Sequence, residues 1–112
     1  MKNTPMIQRQ INVQEEEVPE NLKIVIFRIL QEAMNNIAKY SQGNWVGLTL
    51  EKTNYRIILK IRDNGVGFDP ENCPRGLGLS SIKERAQLSR GGFILESSPG
   101  KGTCLEARWP AT

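Results

Sequence analysis

The feature that most constrains this chain is a strand that ends in a carboxylate and two glycines. Residues 55–62 (Tyr55-Arg56-Ile57-Ile58-Leu59-Lys60-Ile61-Arg62) alternate, and Asp63-Asn64-Gly65-Val66-Gly67-Phe68 follows directly. A strand turns every second side chain to the same face, so Tyr55, Ile57, Leu59, Ile61 and Asp63 share one side. A carboxylate closing an apolar face is costly unless donors reach it. Glycines two apart imply a sharp turn or a backbone that lets a ligand come close. A strand end followed by an ordinary Asn-Gly turn accounts for this stretch at least as well, so the remaining chain has to discriminate.

Residues 1–10 are polar and expected to be loosely held. Residues 7–13 can form a short edge strand with Ile11 and Val13 on one face, and Glu15-Glu16-Glu17 reads as a solvated acidic turn. Val18-Pro19-Glu20-Asn21 has the Pro and acidic residues of a helix start. The helix should run from about Pro19 or Glu20 to about Tyr40, with Leu22, Ile26, Ile29, Ala33 and Ile37 as its apolar stripe. Tyr40 falls near the centre of that stripe. Glu32, Asn36 and Lys39 gather on one flank, bordering the buried seam.

Ser41-Gln42-Gly43-Asn44 turns the chain into a strand over 45–51, with Val46, Leu48 and Leu50 inward, and Thr53-Asn54 joins it tightly to the strand over 55–62. Residues 69–75 hold two prolines and no periodicity, the marks of a short loop. Gly76-Leu77-Gly78-Leu79 then opens a second helix. Ser81 and Glu84 have capping-box spacing near its start. Leu79, Ile82, Ala86 and either Leu88 or Ser89 face inward, and Gly91-Gly92 ends it. A short strand over 93–96, a glycine-rich turn and a strand over 104–109 with Leu105, Ala107 and Trp109 on one face complete the chain.

Few helices and strands arranged largely as hairpins indicate an α+β two-layer sandwich, a mixed, mostly antiparallel β-sheet with helices packed on one face. The 112 residues suffice for one domain with a single core. A net charge of +3 without a long basic run gives little reason to expect nucleic acid as a partner. No segment is apolar enough to span a bilayer, so neither a membrane span nor direct membrane contact is expected. Histidine is absent, which excludes a Cys/His zinc site and any Ser-His or Cys-His catalytic pair within the chain. Cys73 and Cys104 are expected as reduced thiols. Familiar phosphate-binding signatures are missing too. Gly100-Lys101-Gly102-Thr103 lacks the upstream glycine of a P-loop, and neither glycine pair extends to G-x-G-x-x-G.

Taken together, a Glu32/Asn36/Lys39 helix flank, Asp63-x-Gly65-x-Gly67 at a strand end, Gly76-x-Gly78 opening a helix and Gly102-Thr103 entering the last strand closely resemble the ATP-binding domain shared by sensor histidine kinases, gyrase, Hsp90 and MutL. Gln31-Glu32-Ala33-Met34-Asn35-Asn36-Ile37-Ala38-Lys39-Tyr40-Ser41 resembles that family's N box. Asp63 to Phe68 resembles its G1 box, Gly76 to Leu79 its G2 box, and Gly100 to Thr103 its terminal glycine-threonine turn. The match covers nearly the whole chain from Ile11 on. Arg28-Ile29-Leu30-Gln31-Glu32-Ala33, the short 69–75 loop and Lys83-Glu84-Arg85-Ala86 are most similar to the short-lid histidine kinases that work with helix-turn-helix response regulators. Tyr40 stands where that subclass commonly has histidine.

The resemblance implies a Bergerat-type fold and a domain of a two-component sensor kinase. As a cytoplasmic domain, of a parent either membrane-anchored or not, it would bind Mg-ATP and transfer the γ-phosphoryl group to a histidine on a separate dimerisation domain. Asp63 would accept from the adenine amino group, with Gly65 and Gly67 beside the base and Thr103 supporting the same edge. Asn36 would hold Mg²⁺, Lys39 would meet a phosphate and Tyr40 would pack on the purine. Gly76, Leu77, Gly78 and Leu79 would offer backbone N–H groups to the phosphates. Glu32 would be catalytic, orienting or deprotonating the nucleophile. An ATPase or protein-serine kinase of the same superfamily (the anti-sigma-factor kinase type) and a non-catalytic nucleotide-sensing module are the alternatives.

Overall fold

A computed structural model describes residues 6–72 and 79–111. Five strands form a single sheet: β1 (Met6–Asn12), β2 (Trp45–Lys52), β3 (Arg56–Asp63), β4 (Gly92–Ser97) and β5 (Thr103–Pro110), in the order β1-β2-β3-β5-β4. β1 and β2 are parallel and every other pair is antiparallel. The helices α1 (Glu20–Asn36) and α2 (Leu79–Leu88) pack side by side, and α2 also rests on β4 and β5. This is the expected α+β sandwich.

The core lies between the helices and one face of the sheet. Leu22, Ile26, Ile29 and Ala33 of α1 are buried, as the stripe requires, and meet Ile57, Leu59, Ile61, Leu105, Ala107 and Trp109 from the two central strands. From α2, Ile82 and Ala86 close the same core. The opposite face of the sheet is charged. There Glu106 is paired with Lys60 at 3.5 Å and with Arg108.

The structure departs from the sequence expectations at several points. Residues 6–10, expected to be loose, belong to β1. All seven of its side chains are exposed, so backbone pairing with β2 holds it, and the edge strand expected over 7–13 is present one residue earlier, over Met6–Asn12. The first helix stays α-helical only to Asn36 and widens into a π-turn over Ile37–Ser41. The extra residue in that turn rotates Tyr40 off the buried stripe, to 41% exposure. Tyr55 precedes β3 and is exposed rather than sharing the face of Ile57. Ser81 lies inside α2, which already begins at Leu79, and so does not cap it.

At the far end of α2, Leu88 is exposed, and Ser89 is the inward residue, its Oγ accepting from Trp109 Nε1 at 2.8 Å. Arg90, with φ of 68°, takes the left-handed position in place of a glycine. Gly91 serves a different need, because a Cβ there would lie 2.6 Å from Trp109 Nε1.

Candidate functional site

The register between β3 and β5 lays the floor of the site. Ile57 faces Trp109, Leu59 faces Ala107 and Ile61 faces Leu105, and the next pair in the series is Asp63 with Thr103. The alternation that buries three apolar pairs therefore delivers a carboxylate and a hydroxyl, side by side, to the end of the same face. The wall above them comes from α1. Ala33 and Asn36 line the cleft, and the π-turn adds Ile37, Tyr40 and Ser41. Val66, Gly67, Phe68 and Leu79 complete a cavity of about 180 Å³.

Asp63 is held by two donors on one oxygen. Its Oδ1 accepts from Ser41 Oγ at 3.0 Å and from the Gly65 N–H at 2.8 Å. Among the described residues no further hydrogen bond reaches this side chain, and no buried side-chain polar atom lacks a partner. Oδ2 is thus accessible at the cavity, an acceptor waiting for a donor. Thr103 Oγ1 lies 2.9 Å from Ser97 Oγ, which also accepts from the Phe68 N–H at 2.9 Å and reaches Gly102 O at 3.0 Å.

The loop after β3 is tied down on both sides. Val66 N–H donates to Ser41 O at 2.7 Å, and Val66 O accepts from Gly100 N–H at 2.6 Å. Asn64 Oδ1 accepts from the backbone N–H groups of Asn44 and Trp45, each at 3.0 Å. Gly65 does not line the cleft. It is glycine because a Cβ there would lie 2.0 Å from Ser41 O and 2.1 Å from Ser41 Oγ. Gly67 does line it, with φ of 61°.

Six of the anticipated site residues therefore converge on one cavity: Asn36, Tyr40, Asp63, Gly67, Leu79 and Thr103. Glu32 and Lys39 are on the α1 side but outside the lining. Glu32 is half-buried and stands 3.9 Å from Arg85 of α2. Lys39 is exposed. Gly76, Leu77, Gly78, Cys73 and Arg75 lie outside the described residues. Ser41, Asn64 and Ser97 were not anticipated as parts of the site. The signal for Ser41 was its place directly after the helix, where a small hydroxyl residue tends to bond locally. Cys104 lies on the charged face, and partial burial pushes its thiol above the ordinary value, against the pull of Lys60 and Arg62. It is therefore mostly protonated at neutral pH and a poor nucleophile.

A predominantly apolar slot with a few converging polar groups is the usual build of a small-molecule site. The apolar walls suit a flat ring, and Oδ2 of Asp63 suits an exocyclic amino group. Residues 21–112 match the family described as histidine kinase-, DNA gyrase B-, and HSP90-like ATPase, and the chain belongs to it. Within that family it is an ATP-binding catalytic domain of the histidine kinase kind. It is 33% identical over 98 residues to the signal transduction histidine-protein kinase/phosphatase DegS of Brevibacillus brevis, a match that covers 87% of this chain and 25% of that protein. Over 103 residues it is 33% identical to the oxygen sensor histidine kinase NreB of Staphylococcus carnosus, covering 90% and 30%. The chain thus spans under a third of the curated relatives it matches.

Solved structures agree on the fold. The blue-light activated histidine kinase of Erythrobacter litoralis superposes with a TM-score of 0.76 at 19% identity, over 94% of this chain and 35% of that one. The histidine kinase AdeS of Acinetobacter baumannii gives 0.71 at 18% identity, over 95% and 55%.

Proposed function

We propose that this domain binds Mg-ATP in the cleft between α1 and the end of β3 and β5, and passes the γ-phosphoryl group to a histidine on a separate helical dimerisation domain of its parent kinase. The supporting observation is the pairing of Asp63 with Thr103 at the end of the buried face, with Oδ2 of Asp63 accessible. Adenine supplies the donor that this oxygen needs. Thr103 backs the same edge, and Tyr40, at the rim, covers the ring.

Asn36 lies one helical turn from Tyr40 in the same lining, on the phosphate side of this reading. Its amide oxygen would be one ligand of Mg²⁺, which keeps waters and substrate phosphates for most of its octahedron. Lys39, exposed on the same flank, would balance phosphate charge. Leu79 opens α2, and the backbone N–H groups from Gly76 to Leu79 would complete an anion site there. The nucleotide brings the phosphoryl group, and the chain's own residues position it and neutralise charge. Glu32 sits outside the slot, one turn from Asn36, where a carboxylate avoids the triphosphate and can face an incoming nucleophile. A response regulator, of the helix-turn-helix output type, would take the phosphoryl group onward. A cytoplasmic setting, the presence of ATP and Mg²⁺, and the short-lid subclass belong to the same reading, as does treating 1–112 as one domain. Among the described residues no helix is long and apolar enough to cross a membrane.

The test is calorimetry of ADP with and without Mg²⁺, followed by addition of the parent's helical domain in trans with γ-labelled ATP. Binding strengthened by Mg²⁺, with label on the added histidine, is expected. Absence of nucleotide binding would refute the proposal.

A further inference from the structure

Ser41 is buried, at 7% exposure, and every polar atom it brings to the site is engaged. Its Oγ accepts from the Gly43 N–H at 3.2 Å and donates to Asp63 Oδ1 at 3.0 Å. Its carbonyl accepts from Val66 N–H at 2.7 Å. Gly65, whose N–H also donates to Asp63 Oδ1, is packed so tightly on Ser41 that no Cβ fits between them. A hydroxyl has one proton. With a backbone N–H pointing at Ser41 Oγ, that proton is directed to Asp63. Asp63 Oδ1 therefore meets two donors and must itself be an acceptor. Ser41 is part of the last turn of the α1 segment, so the same bond joins the N-terminal helix to the strand end that carries the carboxylate.

We infer that Ser41 is a positioning residue for base selection: with Gly65 N–H it engages one oxygen of Asp63 and aims the other, an acceptor, into the cleft, where it selects a 6-amino purine over a 6-oxo purine. The inference rests on the adenine reading above and extends it to a residue that does not touch the base. It has a consequence specific to this geometry. In Asp63→Asn the amide has a choice of orientations. Ser41 Oγ–H and Gly65 N–H both demand an oxygen at the inner position, so the NH₂ must face the cleft. The site then presents a donor. The amino group of adenine is opposed donor to donor, whereas the 6-carbonyl of hypoxanthine is matched.

The experiment titrates ADP and IDP calorimetrically into the wild-type chain and into Asp63→Asn, Ser41→Ala and the Ser41→Ala/Asp63→Asn double variant, with thermal unfolding as a check on folding. Wild type should prefer ADP. Asp63→Asn should shift the ADP/IDP affinity ratio toward IDP by about 100-fold, the scale of one hydrogen bond exchanged for an unpaired donor. In the double variant only the Gly65 N–H still holds the amide, so part of that shift should vanish. Ser41→Ala alone should fold and weaken ADP by about tenfold while narrowing its advantage over IDP.

If wild type binds ADP and IDP equally, the adenine reading fails. If wild type discriminates and Asp63→Asn gives the same ratio with and without the Ser41 hydroxyl, Ser41 does not orient the side chain and the inference falls with the adenine reading intact. Loss of all nucleotide binding in Asp63→Asn, together with an unaltered ADP/IDP ratio in Ser41→Ala, overturns it as well.

Discussion

Asp63 and Glu32 are both carboxylates, one lining the cleft and one beside it, and on the proposed function their surroundings give them separate tasks. Asp63 has one oxygen saturated and one accessible at the cavity. Asp63→Ala removes a charged hydrogen-bond partner, worth about 1.5–3 kcal/mol, so ADP affinity measured by calorimetry should fall by roughly 10- to 100-fold. Unchanged affinity would refute the adenine contact. Glu32 lies off the cavity with its nearest cation, Arg85, at 3.9 Å and both side chains part-exposed. Such a pair contributes about 0–1 kcal/mol, so Glu32→Gln should leave folding and nucleotide affinity almost untouched. Phosphoryl transfer to a histidine supplied in trans should nonetheless slow by about 10²–10⁴-fold if Glu32 serves the nucleophile as general base. A wild-type rate would make it a helix-surface residue only. The strand pattern exposed Asp63 because period-2 counting is rigid, and Thr103 followed from the resemblance. Ser41, Asn64 and Ser97 stayed hidden because their partners lie 22, 20 and 29 residues away, at Asp63, Asn44 and Phe68, and no local pattern encodes contacts of that range.

Elements were legible where burial wrote a period into them. The α1 stripe, β3 and β5 were each readable from alternation or from 100° spacing, and the buried apolar residues are those the pattern named. β1 was half-read because backbone bonds, with no buried side chain, hold it. The π-turn over Ile37–Ser41 was unreadable since the apolar spacing runs unbroken through Ile37, and its last residue, Ser41, is in close contact with Gly65 of the loop after β3. That contact has a measurable consequence. Gly65→Ala forces a methyl to within 2.0 Å of Ser41 O, against backbone that cannot step aside. Overpacking of this kind costs typically about 1–3 kcal/mol, to be read as a lowered urea midpoint with m unchanged. The end of α2 offers a second case. Trp109 is 2% exposed and its Nε1–H is donated to Ser89 Oγ. Ser89→Ala leaves that donor buried and unpaired, which should lower stability by about 1–3 kcal/mol without changing nucleotide affinity. A stability equal to wild type would mean that α2 is not anchored through this bond.

At the scale of the whole molecule, the site joins parts that are remote in sequence. α1 with its π-turn forms one wall, and the ends of β3 and β5 form the floor. A ligand seated there bonds to the folded arrangement and has no counterpart in the unfolded chain, so it must stabilise the fold by mass action. At a free ADP concentration about 100 times the dissociation constant that gain is about 2.7 kcal/mol. For a domain of this size it should raise the melting midpoint by on the order of 10 °C. Asp63→Ala, at the same ADP concentration, should lose about half of the rise or more, whereas Glu32→Gln should keep it. Transfer must behave differently from binding. The 112 residues contain no histidine, so on the proposed function the acceptor comes from another segment. Incubated alone with Mg²⁺ and γ-labelled ATP, the chain should show the full thermal shift yet gain no acid-labile label. Adding the parent's helical domain should place label on that domain. Acid-labile label on the chain alone would disprove transfer to an external histidine while leaving nucleotide binding in place. A missing thermal shift would disprove binding itself.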